Sequence, residues 1–567
     1  MLRRVLLAVA VLVTVAAIFL WTRLPPKQQS LTATFSDGTV PGALHVHSSR
    51  SDGRGTPEEI AHDAARAGLK FVVITDHADA TAVPAPPVYR EGVLCLEGTE
   101  ISTRDGHYIA LDMPAAPYPL GGDGRAVVED VKRLGGFGVV AHPDSPKPEL
   151  QWRAWSAPFD AVEVLNLDTM WRRRVADPRW QGKAALQIRL LTYAFRPAES
   201  VASLVLRSAA LEQWSEVADR RHLVMLGGTD AHAQIAWRAS DPIAATLSIP
   251  LPSYTSIFRA MSVRVRLERA LTGDAKTDAA MLFRALRAGH LYTAVDGIAT
   301  PPAFELTATN ALGTVRMGDQ LDVGGPLTLR VRSNAPDGFT TTIWDGVKAV
   351  AIDRRERDFS LVLPGDPGVY WAEVHPGGRS APVPWITSNP VYVRSTEPPL
   401  IAAPPPVATV STPLFDGQST TGWRVHHDDA SVGEVDAVAS PAGEGALRLR
   451  FGLASAPTTS QFVALGVDAP QGIASSDRVT FAARAEQPMR ISVQVMTEQS
   501  RWERSVYVDT FSQAHTVMFH EFRPVAGSGE NPIPLDRVTA LLFVIDTTNT
   551  KPGTSGQLWI GAPALAK

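Results

Sequence analysis

The sequence predicts a multidomain protein in which an α/β barrel is followed by two β-sandwich domains. Its 567 residues are too many for one ordinary domain. Between residues 38 and 298, short apolar runs that end in His, Asp or Glu alternate with helical patterns, which is typical of parallel strands in a barrel. From Pro301 onward, short alternating strands are separated by Gly, Pro and Asn turns, which is typical of antiparallel sandwiches.

An apolar segment comes first. Residues 5–21 are apolar apart from Thr14 and follow Arg3 and Arg4. As a helix this run spans about 25 Å, at the short end for a bilayer crossing. We therefore expect residues 1–28 to be a membrane anchor, with the body outside the cytoplasm, in the periplasm or at the cell surface. A cleaved signal peptide, which would make the protein secreted, is the alternative, but no small-x-small cleavage site follows the apolar run.

The first barrel strand carries a pattern of metal-ligand residues. In GALHVHSSRSDG, His45 and His47 alternate with apolar residues, so both imidazoles of a strand point to the same side. Asp52 follows in a Ser-Asp-Gly turn that can return its carboxylate towards them. Two histidines and an acid at this spacing suit zinc, manganese or iron. Taken alone, a His-x-His pattern is weak, because many such pairs lie in cores or on surfaces.

Four further segments repeat the pattern. The candidate ligands are His77 in FVVITDH, Glu100 and His107 in LEGTEISTRDGHYIAL, His142 in GGFGVVAHPD, and Asp230 and His232 in LVMLGGTDAH. The carboxyl ends of parallel barrel strands converge on one face, where such enzymes build their sites. Histidines that serve only as polar residues of the core are the alternative, but five strand ends with the same pattern favour a metal centre.

In order, the motifs HVHSSRSDG, ITDH, EGTEIS with GHYIAL, AHP and GGTDAH resemble those of the polymerase-and-histidinol-phosphatase (PHP) domain over roughly residues 40–245. The resemblance implies a distorted (β/α)7 barrel that carries up to three metal ions and hydrolyses phosphoesters. It also implies the following ligands, with Glu100 and Asp230 as the bridging, catalytic carboxylates: His45, His47, Asp52, His77, Glu100, His107, His142, Asp230 and His232. Glu163 and Asn166, in a strand similar to another of the family's, either support the ligands or simply cap the strand.

Metal-activated water is the mechanism that these residues favour. A carboxylate can bridge two cations, and two metals that share a water lower its pKa and clamp the attacking and leaving oxygens. The single cysteine, Cys95, stands in an apolar run and is expected in the core. Arg54, Arg104 and Lys147 stand beside the ligand motifs and are candidates for binding a phosphate, although loop charges of this kind are often only solvated.

Helices are expected around the strands. TPEEIAHDAARAGL has Thr56 as N-cap, Glu59 in a capping box and Gly68 at its end, which places His62 on the outer face. Residues 150–222, rich in Trp and Arg, predict a helical insertion that forms either a lid over the site or an enlarged outer layer. SYTSIFRAMSVRVRLERAL and DAAMLFRALRAGHLYTA are expected as two helices that close the barrel.

The C-terminal half predicts three segments: an immunoglobulin-like sandwich at 301–395, a proline-rich linker at 396–413 and a jelly-roll-like domain at 414–567. The ends of the last segment resemble carbohydrate-binding and galactose-binding domains. Stacking of a sugar on Trp423, Trp502 or Trp559 is one interpretation, and burial of these rings in the core is the other. The first sandwich and the barrel together resemble, more loosely, a branch of the PHP family that includes hydrolases of carbamate esters.

Composition limits the function. A net charge of −4 provides no field that attracts polyanions, which argues against a dedicated nucleic-acid-binding protein, and one cysteine excludes an intramolecular disulfide. The sequence therefore predicts a membrane-anchored hydrolase with two or three divalent ions (Zn, Mn or Fe) that acts on a small phosphoester, or on a carboxylic or carbamate ester. A surface binding protein whose barrel keeps its metals for structure is the alternative of another class.

Overall fold

The computed structural model describes residues 2–32, 34–236, 248–377, 383–395, 407–439, 445–455, 461–469, 471–525 and 532–567. The chain forms two compact units. The first comprises Met1–Ala78, Val83–Pro114 and Val128–Leu400, and the second comprises Asp79–Ala82, Ala115–Val127 and Ile401–Lys567. The segments expected as barrel and first sandwich thus lie in one unit. Residues 396–406 of the expected linker lie outside the described residues.

Nine α-helices occur in the described residues. They are α1 Leu2–Arg23, α2 Pro57–Ala67, α3 Gly124–Arg133, α4 Leu167–Ala176, α5 Trp180–Tyr193, α6 Pro197–Ala202, α7 Leu211–Ala218, α8 Tyr254–Ala260 and α9 Ala275–Arg287. Helix α2 has the N-cap, capping box and left-handed C-terminal glycine that its sequence predicts. Helices α4–α7 occupy the expected helical insertion.

Among the residues that the structure describes, fourteen strands precede residue 301. They are β1 Gln29–Ser30, β2 Thr39–Val46, β3 Phe71–Ile74, β4 Val88–Arg90, β5 Val93–Thr103, β6 Gly106–Leu111, β7 Phe137–Val140, β8 Ala161–Asn166, β9 Val224–Gly228, β10 Ile235–Ala236, β11 Ser248–Ile249, β12 Ser262–Arg266, β13 Leu291–Ala294 and β14 Ala299–Thr300. The prediction of two uninterrupted closing helices was wrong, because α8 and α9 are each followed by a strand, β12 and β13. The alternating SVRVR of β12 has the period of two that a strand requires.

The central sheet has the order β13-β12-β2-β3-β5-β6-β7-β8-β9 and curls. Pairing is parallel in β2-β3-β5 and in β7-β8-β9, but β6 is antiparallel to both neighbours because a tight hairpin joins it to β5. After β9 the chain returns to β2, where His47 N donates to Ala231 O at 3.0 Å and Thr229 N donates to Leu44 O at 2.9 Å. The carboxyl ends of β2 and β9 are therefore adjacent.

The next ten strands form a sandwich within the first unit. They are β15 Phe304–Asn310, β16 Gly313–Arg316, β17 Gln320–Leu321, β18 Leu327–Ser333, β19 Thr340–Asp345, β20 Lys348–Arg354, β21 Asp358–Leu363, β22 Gly368–His375, β23 Ile386–Ser388 and β24 Val391–Val393. One sheet has the order β16-β15-β18-β21, and the other continues the central sheet because β23 pairs with β13. Phe304, Val331 and Trp385 lie in the core between them.

The second unit contains two six-stranded antiparallel sheets. Their strands are β25 Ser411–Pro413, β26 Trp423–His427, β27 Val432–Ala439, β28 Gly445–Gly452, β29 Phe462–Asp468, β30 Arg478–Ala485, β31 Met489–Met496, β32 Arg501–Val508, β33 Gln513–Met518, β34 Arg523–Pro524, β35 Ala540–Asp546 and β36 Ser555–Ala566, with 3-10 helices at Phe519–Glu521 and Leu535–Arg537. Trp423 and Trp502 are buried in the core between the sheets, and the Arg484 guanidinium lies 3.6 Å from the centre of the Trp559 ring. Trp423 and Trp502 are therefore core residues, whereas Trp559 is partly exposed and has Arg484 over its ring.

Candidate metal centre

Six imidazoles and three carboxylates converge at the carboxyl ends of the central strands. His45 lies in β2 and His47 directly follows it. Their Nε2 atoms lie 3.1 Å apart, so the two imidazoles converge as expected, although the backbone at His45 departs from a regular strand. All nine sequence-predicted ligands belong to four overlapping groups whose ligand atoms lie within 4.8 Å of one another. These groups are His47–Asp52–His77–His232, His45–His47–Asp230, His45–Glu100–His142 and His77–Glu100–His107.

Glu100 lies at the middle of the cluster and is almost fully buried. Its Oε2 atom is 3.1 Å from Nε2 of both His45 and His47. Its Oε1 atom is 2.8 Å from His107 Nδ1 and 2.9 Å from His142 Nε2. The two oxygens therefore face two different groups of imidazoles, which is the arrangement that a bridging carboxylate requires.

The two aspartates complete the cluster on the side of β9. Asp230 Oδ1 lies 3.3 Å from Nε2 of His45 and of His47. Asp52 Oδ2 lies 3.2 Å from His232 Nε2 and 3.7 Å from His77 Nε2. Asp230 thus contacts two imidazoles of the distant His45–His47 segment, and Asp52 contacts imidazoles from two segments that are far apart in the sequence.

The donor atoms fit divalent metal ions. Nδ1 of His142 is buried without a hydrogen-bond partner, and so are Nδ1 of His47 and of His77, each 3.4 Å from a carboxylate oxygen. The facing Nε2 atoms of His45 and His47 bring two lone pairs together unless a cation or a proton lies between them. Imidazole and carboxylate ligands of this kind suit zinc, iron or manganese.

Protonation in the cluster follows from burial and opposite charge. Burial lowers the pKa of His232, but Asp52 and Asp230 outweigh it and raise that pKa to about 10. Burial raises the pKa of Glu100, yet the surrounding imidazoles hold it well below its usual range. For His77, burial prevails and lowers the pKa. The carboxylates are therefore ionised and available as ligands.

Three of the candidate ligands have backbone conformations that L-residues rarely adopt. The φ angles are 62° at His45, 29° at His142 and 47° at Asp230. Such conformations typically cost of order 1–3 kcal/mol each and concentrate at functional sites, where the surrounding structure holds them. Hydrogen bonds fix the first and the last of these positions, because Thr229 Oγ1 donates to His45 O and Ala231 N donates to the same oxygen.

Buried polar residues around the ligands orient them. Glu163 Oε1 lies 2.7 Å from His45 Nδ1, and its Oε2 accepts hydrogen bonds from His142 N and Asn166 Nδ2 at 2.7 and 2.8 Å. Asn166 also caps α4 through Thr169 N. Gly228 makes room for Glu163, since a Cβ atom there would lie 1.8 Å from its Oε1. Asn166 thus supports Glu163 and caps the helix that follows, whereas capping of the strand was the expected alternative.

Two supporting residues were not identified from the sequence. Asp76 binds the loop before Asp52, accepting from Ser48 N, Ser48 Oγ and Ser51 Oγ at 2.6–2.7 Å. Tyr254 OH donates to His47 O at 2.7 Å. Asp76 could have been identified from its position beside His77 at a strand end and from the serine-rich loop that it binds. Nothing in the local sequence marks Tyr254 as a supporting residue.

A cleft of about 350 Å³ borders the cluster. It is lined by Asp52, Asp230, His232, Lys147 and, from α4, Asp168, Trp171 and Arg172, together with apolar side chains that include Leu167, Val201, Leu204 and Ile257. Of the three predicted substrate residues, only Lys147 lines this cleft. Arg54 and Arg104 are exposed and do not line it.

Arg172 is the basic residue of the cleft that sequence reasoning missed. Burial lowers its pKa, but Asp168, Asp230 and Asp52 outweigh that effect and raise it. The guanidinium is thus close enough to the metal centre to interact with two of its carboxylates. The only signal in the sequence was the arginine run of the insertion, whose position over the cleft could not be read from it.

Three other histidines of the first unit and the single cysteine lie outside the cluster. His62 is exposed and 3.0 Å from Glu91, His222 Nε2 lies 2.8 Å from Gly318 O, and His290 Nε2 is 2.6 Å from Asp319. Cys95 is buried, and burial raises the pKa of its thiol. It belongs to the core, as expected.

Comparison with known proteins gives one curated relative and several solved structures. No family model matches the chain. A 137-residue part, 22% of this chain, is 31% identical to the uncharacterized protein MJ1587 of Methanocaldococcus jannaschii and covers 80% of it. Among solved structures, the chain is similar to a two-domain protein containing a predicted PHP-like metal-dependent phosphoesterase from Bacteroides vulgatus, with a TM-score of 0.29 and 15% identity over 64% of this chain and 99% of that chain.

A second solved structure is similar over a shorter part. It is the family 11 carbohydrate-binding module of a cellulosomal cellulase of Clostridium thermocellum, with a TM-score of 0.24 and 13% identity over 28% of this chain and 95% of that chain.

Proposed function

This chain belongs to the same family as the uncharacterized protein MJ1587 of Methanocaldococcus jannaschii, and from its metal centre we propose that it is a metal-dependent hydrolase of phosphoesters. The observation that carries the proposal is the position of Glu100, whose two carboxylate oxygens face two different groups of imidazoles. The ordered set of PHP-type motifs supports the same reaction.

The proposed ligands are the nine residues of the cluster, which would hold two or three ions of zinc, manganese or iron. When bound, such ions lower the pKa of a water towards neutrality and polarise the ester. Glu100 and Asp230 would bridge the ions and are the proposed catalytic carboxylates. Glu163 fixes the ring of His45 and the backbone of His142, so the ligands keep their positions as the charge of the site changes.

Substrate binding is assigned to the cleft. Lys147 and Arg172 offer charge-assisted hydrogen bonds to an anionic group beside the metal centre, and Asp168 holds the Arg172 guanidinium. The apolar wall and Trp171 accommodate a hydrophobic leaving group or acyl portion. The two basic side chains favour a phosphoester, and carboxylic and carbamate esters are the alternative substrates.

Location is proposed from α1. Residues Arg3–Arg23 are long and apolar enough to cross a membrane by length and composition, a property shared with signal sequences. We assign α1 as an uncleaved anchor that leaves the body outside the cytoplasm, because no cleavage-type site follows its apolar run.

Hydrolysis by the metal-loaded full chain in detergent tests the proposed activity. Aryl phosphomonoesters, phosphodiesters, acetates and carbamates would be compared at equal concentration, before and after removal of metal with a chelator. We expect hydrolysis of a phosphoester that disappears with the metal and returns when it is restored. A chain that binds metal but hydrolyses none of these esters would favour the alternative, a surface binding protein with a structural metal centre.

A further inference from the structure

The helical insertion exposes an apolar surface that the metal chemistry does not use. Trp180 and Leu191 of α5 are 73% and 57% exposed, and Leu190 is also exposed. Phe195, two residues after the end of α5, is 67% exposed. Trp180 and Leu191 are eleven residues apart, which is about three helical turns, so they lie on one face of α5. Large apolar side chains that cluster on an exposed helix face indicate a binding surface.

Hydrogen bonds connect this surface to the end of α1. Arg189 Nη1 donates to Arg23 O at 3.4 Å, and Arg196 Nη1 donates to Pro25 O. Helix α1 also packs against α5. If α1 spans a bilayer, its last residues lie at the bilayer surface, and these contacts bring α5 to the same level.

The charge of the insertion fits a bilayer with anionic headgroups. From Thr169 to Arg196 the chain has seven basic residues, of which Arg172, Arg173 and Arg179 are paired with Asp168, Asp144 and Asp177. The four others are Arg174, Lys183, Arg189 and Arg196, and they leave the segment with an excess of positive charge. Basic residues around exposed Trp, Leu and Phe are the composition of helices that lie in a membrane interface. Basic residues near an anionic leaflet are attracted to it.

We propose that the exposed face of α5, with Trp180, Leu190, Leu191 and Phe195, lies in the interface of the membrane that α1 crosses. The proposal rests on the assignment of α1 as an anchor. It adds that the insertion itself contacts lipid, so that α1 is not the only membrane-bound element. Because α4 and α6 flank α5 and line the cleft, the substrate entrance adjoins the lipid surface.

Site-specific labelling of the full chain tests the proposal. Cys95 is buried, so a maleimide fluorophore reacts with a cysteine introduced at Leu191→Cys or, as the matched control on an exposed strand, at Val362→Cys. Each labelled protein is reconstituted into bilayers that contain nitroxide lipids, with and without anionic lipid. We expect quenching at position 191 to exceed that at position 362 by about twofold or more and to weaken without anionic lipid.

Three other outcomes overturn the proposal. Equal quenching at the two positions would mean that α5 stays in water. A label at position 191 that is shielded from water but not quenched by lipid would mean that a second copy of the chain covers the surface. Flotation of the same samples with the bilayers tests the anchor separately. A chain that floats but is not quenched would support the anchor and contradict the lipid-bound surface. A chain that does not float would contradict both assignments.

Discussion

At the scale of single residues, the metal centre depends on a few carboxylates with separate tasks. Glu100 and Asp230 contact the imidazoles directly, Glu163 orients two of the ligands, and Asp76 holds the loop that carries Asp52. A buried carboxylate that loses its partners costs several kcal/mol, so these groups are stable only as a set. Substitutions that keep shape and change charge can separate their tasks.

Asp230→Asn separates metal bridging from folding. Asn tolerates the left-handed backbone of this position, so we expect the fold to persist. The variant should lose part of its metal and lower kcat by about a thousandfold or more, because it forfeits several kcal/mol of metal-assisted barrier reduction. His62→Ala, on an exposed face, should change kcat by less than about twofold. Near-normal turnover in Asp230→Asn together with loss of turnover in His62→Ala would show that the site lies elsewhere.

Glu163→Gln tests orientation of the ligands without removing one. The side-chain amide of Gln accepts hydrogen bonds at its oxygen but not at its nitrogen, so either His45 or His142 loses its hydrogen-bond partner. We expect metal affinity, measured by competition with a chelating dye, to fall by about 10–100-fold. Asp160→Asn is the matched control. Asp160 stands just before β8 and accepts a hydrogen bond from Gly138 N, which is not one of the proposed ligands. Equal metal affinities of the two variants would show that Glu163 does not orient the ligands.

At the scale of elements, the local signals in the sequence were sufficient where partners are close along the chain. The capping box and terminal glycine define α2, and the pattern of ligand residues identified the strand ends. The alternation of SVRVR is too short to predict a strand next to the helical pattern of α8. Only its pairing with β2 and β13 reveals the strand. Strand β6 is antiparallel because a hairpin follows Thr103. A prediction of a barrel of parallel strands does not include this hairpin.

Helix α4 was predicted as part of an insertion, and its relation to the cleft was not. The position of Arg172 depends on how the helix packs against strands distant in sequence, which no local pattern reports. We expect Arg172→Gln to raise KM and to lower kcat/KM by about tenfold or more, the effect of losing one charge-assisted hydrogen bond. Arg174→Gln, two residues along the same helix and outside the cleft, should leave both constants near normal. Equal effects would indicate general damage to α4.

At the scale of the whole molecule, the sequence predicted more boundaries than the structure has compact units. The first sandwich shares a sheet with the curled sheet of the metal centre through β13 and β23, and buried Asn389 links it to β9 by binding Met225 N and O. A change of strand pattern near residue 301 therefore marked a change of architecture and not a separate unit. Long-range pairing of this kind is absent from local composition.

Metal should stabilise the whole first unit, because the nine proposed ligands come from strands throughout the sheet. We expect the purified full chain to contain two or three transition-metal ions by elemental analysis. Removing them should lower Tm, and metal at about 100 times its Kd should restore about 2.7 kcal/mol of unfolding free energy. A content of one ion or fewer after reconstitution with manganese, iron and zinc would exclude the multinuclear centre.

The anchor assignment predicts the mass of the mature protein. If α1 is retained, intact-mass measurement should find a chain that begins at Met1 or Leu2 and that leaves the membrane fraction only when detergent is added. A chain that begins near residues 22–30 would identify α1 as a signal peptide and would remove the membrane from the description of the mature protein.

The left-handed backbones at His45, His142 and Asp230 have a consequence for how freely this chain can change. Glycine would relieve the backbone strain at all three positions, so in the absence of metal this sequence is not the most stable one for its fold. Selection for the stability of the metal-free chain would therefore erode the centre, and its persistence in a lineage would itself report continued use. Engineers who raise the melting temperature of this scaffold by consensus or glycine substitution should exempt these three positions.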